Sequence, residues 1–229
     1  MTEADWEAGK SLRAMIEYLQ GKASARKLRL FAAACCRRVW GLLTDERSRY
    51  AVETAARYAD GAASYTRLTE ACRAAEAARY ELRRAARSLG ARAVPPAASL
   101  SPEAAAYAAA AAHAVALGTI ADAVESLLAA VPEEDRPAER AADLALLRDV
   151  IGNPFRPARL DRAWVTWNDG TAKKLAQQVY DSRDFSLLPI LCDALEEAGC
   201  GDEQIIKHCR LPGEHTRGCW VVDLLLGRE

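Results

Sequence analysis

The chain is short of strand formers. Its 229 residues include three phenylalanines, six isoleucines and nine threonines, few of the β-branched and aromatic side chains that sheets favour. An all-β fold is excluded on that ground. Net charge is also scarce: 31 Lys and Arg against 32 Asp and Glu leave −1, so the chain is no bulk polycation. The opening MTEADWEAGKSL carries acids and no apolar core, which does not read as a signal peptide. Seven cysteines, an odd number with Cys35 and Cys36 adjacent, speak against a disulfide framework and for a reducing cytoplasm. No nucleophile elbow, P-loop or dinucleotide fingerprint is visible.

Alanine is abundant, with 49 copies. It is the strongest helix former, and a 51% apolar, 28% charged composition is that of a folded globule. The expected fold is therefore all-α, a multi-helix bundle-like domain. Apolar spacing and caps predict helices over 3–19, 25–43, a third ending near Asp60, then 66–89, 136–150, 171–180, 184–198 and 202–209. A final helix is preferred for the Trp220–Leu226 end. Residues 104–121 carry no Asp, Glu, Lys or Arg, but alanine contributes little transfer energy. The stretch from 102 to 130 therefore reads as one long, buried, central Ala-rich helix and not as a membrane span.

Two segments break the helical pattern. Residues 91–100 hold Pro95-Pro96 and read as a linker. They divide a basic block, 1–90, from an acidic block, 101–229, expected to pack together as one unit. Residues 1–92 carry 18 basic and 11 acidic side chains, residues 93–229 carry 13 and 21. The asymmetry fits mutual attraction of the halves, or a basic surface for nucleic acid. The second segment, 152–170, has two prolines, three aromatics and three arginines with almost no helical period. Such a loop is expected to be functional or firmly packed.

Four blocks carry a resemblance: KASARKLRLFAAACCRR at 22–38, GNPFRP at 152–157, WNDG with Lys174-Leu175-Ala176, and Leu188-Pro189-Ile190-Leu191 through Gly199-Cys200 to RGCWVVD at 217–223. Together they resemble a family of uncharacterised bacterial proteins. The likeness covers both ends of the chain, and the alanine-rich middle matches only in character. The family has no assigned reaction, cofactor or partner, so the resemblance implies a folded bacterial protein and no particular activity.

Three constellations could carry function. Cys200, His208, His215 and Cys219 form a Cys2His2 set that would suit tetrahedral zinc, although their gaps match no known zinc module. The structural alternative is buried thiols and helix-capping imidazoles. Arg26, Lys27, Arg29, Arg37 and Arg38 make one helix face basic, suited to phosphate backbones or to ion pairing within the fold. Phe155, Arg156, Trp164 and Trp167 offer the side chains enriched at interfaces, or anchors for the loop. A thiol nucleophile, Cys36 or Cys219 with His215 as base, is the catalytic option. The leading expectation is a non-enzymatic, cytoplasmic protein-binding adaptor without cofactor or membrane contact. The alternative is a zinc-stabilised protein touching nucleic acid through its Arg-rich half, and a third is a cysteine-dependent enzyme.

Overall fold

The computed structural model describes residues 1–89 and 102–228. Among these the fold is all-α, without a strand. In chain order the helices are α1 (Glu3–Ala8), α2 (Leu12–Leu19), α3 (Ala25–Arg38), α4 (Glu46–Ala59), α5 (Tyr65–Leu89), α6 (Pro102–Leu117), α7 (Ile120–Ala130), α8 (Arg136–Ile151), α9 (Arg162–Thr166), α10 (Thr171–Ser182), α11 (Leu188–Glu197), α12 (Glu203–Arg210) and α13 (Trp220–Leu226). The chain divides into two compact units, Met1–Leu144 and Ala145–Glu229. The linker expected at 91–100 lies outside the described residues. The helices on either side of that stretch, α5 and α6, pack against each other within the first unit. The division falls inside α8 instead.

The helix starts follow local chemistry. Ser24 accepts from Lys27 N at 3.2 Å, Asp45 from Arg47 N at 2.8 Å and Asp202 from Gln204 N at 2.9 Å, each oxygen satisfying an N–H that the first turn leaves without a partner. Two expected helices are each split. Gly9 takes a left-handed φ of 59° and Ser11 caps a restart, so 3–19 becomes α1 and α2. Gly118 (φ 87°) ends α6, with Thr119 N donating to Ala114 O at 3.0 Å. That six-to-one closure is the Schellman ending a left-handed glycine permits. A Cβ at Gly118 would also lie 2.9 Å from Arg29 Nη2. The alanine stretch is thus two helices.

In the first unit α6 is central, packed by α3, α4, α5 and α7. Ala105, Ala106, Ala108, Ala109, Ala111, Ala112, Ala114 and Ala116 are all buried. Methyl-sized side chains on every face let neighbouring backbones approach from every side, at the expense of the apolar area each residue buries. No helix among the described residues is long and apolar enough to cross a membrane.

The second unit has a different core. Leu188, Leu191, Leu195, Ile205, Val221, Val222 and Leu225 close around Ala172, Ala176 and Val179. Here α10 packs on α9, α11 and α13, and α12 on α11 and α13. The irregular segment before α10 carries three consecutive left-handed residues, Asn168, Asp169 and Gly170. It ends at the expected helix start, with the Thr171 hydroxyl donating to Asn168 O at 2.7 Å.

Candidate metal centre

The second unit holds one polar knot in its core. Asp149 lies in the last turn of α8 and His208 in the last turn of α12. His215 sits in the connection that follows, and Cys219 immediately precedes α13. One donor atom from each lies within 4.8 Å of all the others. His215 Nδ1 is 2.6 Å from Asp149 Oδ1. His208 Nε2 is 3.2 Å from the same oxygen and 3.1 Å from Cys219 Sγ. Asp149 Oδ2 accepts from Thr216 N at 2.9 Å. Asp149 and Cys219 are 4% and 0% exposed, so this carboxylate is held by charge-assisted bonds in place of water.

The surroundings fix the site's orientation. Gly152 caps α8 with φ 73°, and a Cβ there would come within 3.1 Å of the Trp220 ring. The glycine of the GNPFRP block is therefore required both for its left-handed turn and for the indole's approach. Trp220 Nε1 donates to His208 Nδ1 at 3.1 Å. An indole N–H can only donate, so Nδ1 accepts and neutral His208 carries its proton on Nε2, facing Asp149 and Cys219. Phe185 stacks on His215, ring centroids 6.1 Å apart.

Burial drives Asp149 upward, but hydrogen bonds from His208 and His215 outweigh it and hold the carboxyl below its ordinary range. Burial pushes the Cys219 thiol well above its ordinary range, and the neighbouring Asp149 charge adds to this against the N–H groups of Val222 and Val221. Without a cation the thiol is protonated and a poor nucleophile. Cys36, the other nucleophile candidate, is fully buried in the first unit, and desolvation pushes it up to about 12.

Of the expected zinc set, the structure brings together His208, His215 and Cys219. Cys200 is replaced by Asp149. Gly199 closes α11 with φ 86°, and Cys200 N bonds back to Leu195 O at 2.8 Å, which seats the Cys200 thiol in the leucine core. Asp149 had one visible signal: a carboxylate on a helix stripe with Leu146, Leu147 and Val150, all buried.

The other candidate residues are placed differently. Arg26 pairs with Asp60 at 2.9 Å, Arg37 with Glu53 at 3.0 Å and Arg38 with Glu139 at 2.9 Å. Arg29 lies over the Tyr58 ring at 5.3 Å, and Lys27 is not free either. The α3 charges are thus engaged within the fold. Phe155, Trp164 and Trp167 are half-buried, with Trp164 packed on the leucine core, and only Arg156 of that group is exposed. No family model, curated protein or solved structure matches the chain.

Proposed function

We propose that the C-terminal unit binds one zinc-class ion through Asp149 Oδ1, His208 Nε2, His215 Nδ1 and Cys219 Sγ, and that the ion's role is structural. The observation that carries the reading is the convergence of four donors of the right chemistry, from separate stretches of chain, within 4.8 Å. A carboxylate, two imidazoles and a thiolate form a closed tetrahedral shell for zinc, and structural sites are closed where catalytic ones keep a position open. The near-complete burial of Asp149 and Cys219 supports the closed form. Ideal tetrahedral donors would stand about 3.3–3.6 Å apart given zinc's bond lengths, so pairs now at 2.6–3.2 Å would open and any pair near the 4.8 Å limit would close to admit the ion. On binding, Cys219 would lose its proton, and His208 Nε2 and His215 Nδ1 would give up theirs, each ring keeping one proton on its other nitrogen; for His208 this ends the bond from Trp220 Nε1. The adaptor reading has weaker support, since its aromatic side chains are half-buried.

The test is elemental analysis of the full chain purified without chelator. We expect one zinc per chain, lost in Cys219→Ser and His215→Ala and retained in Cys200→Ser. Zinc at a hundredfold its Kd should stabilise the apo-protein by about 2.7 kcal/mol. Trp220→Phe should tighten zinc binding, because His208 can then carry its proton on Nδ1. No retained ion, and no thermal shift on adding zinc, would leave only a hydrogen-bonded cluster and end the proposal.

A further inference from the structure

The first unit treats its arginines in two opposite ways. In α3, Arg26, Arg37 and Arg38 are matched to carboxylates and Arg29 to the Tyr58 ring. Those near the end of α5 are not: among the described residues Arg83 and Arg87 have no carboxylate partner. Arg79 reaches Glu76 only at 4.0 Å, and its Nε is buried without an acceptor. Arg79, Arg83 and Arg87 recur every four residues, so they share a helix face and repel one another. They line a pocket of about 410 Å³ between α5, α6 and α7, within the size range of small-molecule sites. Alanines of α5 and α6 form its apolar lining. Tyr107, 49% exposed, lies on α6 beside it with Glu103, and Ser126 of α7 completes the polar complement.

We propose that this pocket binds a phosphate monoester of a ring compound, the class of the nucleoside monophosphates. Among the lining residues three guanidiniums stand against one Glu103 carboxylate, an excess of two positive charges that Glu76, 4.0 Å from Arg79 and outside the lining, offsets in part. That excess suits a phosphate monoester, which carries nearly two negative charges near neutrality, better than a monocarboxylate. Guanidinium also matches phosphate geometry as a bidentate donor. The methyl-lined surface and the half-exposed Tyr107 ring offer flat apolar contact to a base. Glu103 and Ser126 can bond to amino or hydroxyl groups on the remainder of the ligand. The site is independent of the metal centre, which lies in the other unit.

The test is isothermal titration of the full chain with AMP, inorganic phosphate, adenosine and a single-stranded RNA dodecamer. AMP should bind once, with inorganic phosphate and adenosine each at least about tenfold weaker, because each lacks one half of the recognition. Arg83→Ala and Arg87→Ala should each weaken AMP about tenfold or more, Arg87→Lys by less, and Arg37→Ala not at all. Both arginines are exposed, so circular dichroism should show every variant folded. Absence of saturable AMP binding overturns the proposal. So does equal affinity for AMP and phosphate, which marks an adventitious anion site only, or AMP affinity untouched by Arg83→Ala. Salt-sensitive RNA binding without AMP binding overturns it in favour of a nucleic-acid surface.

Discussion

The two units differ in where most of their polar groups sit. In Met1–Leu144 the core combines alanine methyls with larger apolar side chains and one buried acid, Asp143, and each α3 arginine has a carboxylate or ring beside it. In Ala145–Glu229 the core is made of leucine and valine, and four titratable side chains are drawn into it. A surface pair contributes little, because water already solvates both partners. A buried carboxylate is different: every partner it has replaces water, so removing one group leaves the others uncompensated. The energetic consequence of removing one acid should therefore differ sharply between an open pair such as Arg37–Glu53 and the Asp149 cluster.

The largest contrast should come from removing one acid in each. Asp149→Ala is expected to destabilise the second unit by about 3–5 kcal/mol, because His208, His215 and Thr216 N all lose their acceptor. Glu53→Ala in the first unit is expected to cost under about 1 kcal/mol. Amide exchange, resolved for residues 1–144 and 145–229, measures both. Equal protection losses in the two variants would erase the distinction.

A smaller effect tests the claim that close backbone approach sets the packing of α6. Ala112→Leu places three extra carbons where neighbouring helices already touch. It should cost about 1–3 kcal/mol by overpacking, read as a lowered urea midpoint. A neutral outcome would mean the alanine core has slack.

A third effect is a slope with pH, which builds up gradually. Burial raises the folded-state pKa of Cys36 from the ordinary 9.0 to about 12. Its contribution is therefore complete below pH 9 and declines as pH rises toward 12, because the unfolded chain releases that proton first. First-unit stability should fall there by about 1.4 kcal/mol per pH unit for this thiol. Cys36→Ala should lessen the slope, with the buried Cys35 thiol keeping its own share, and leave the behaviour of the second unit unaltered.

Much of this was legible in the sequence. Ser24, Asp45 and Asp202 announce their helices because capping is decided within three residues. His208, His215 and Cys219 could be grouped because one short connection carries two of them next to the end of α12. Cys200 looked equally eligible by spacing, and only the cap at Gly199 turns its thiol into the leucines. Asp149 could not be paired from sequence, since it stands 66 residues from His215. The α3 arginines looked like a nucleic-acid surface for the same reason: Asp60, Glu53 and Glu139 reach them only through folding.

The sequence by itself determined an all-helical protein, where most helices start, and that its histidine–cysteine end is chemically distinct, because propensity and capping act over one or two turns. Only the tertiary structure decided where the glycine at 118 divides the alanine stretch, which arginines are neutralised, and that an aspartate in place of a fourth cysteine-or-histidine ligand completes the cluster. Those outcomes depend on groups far apart along the chain. Their meeting is fixed by packing, which no local pattern encodes.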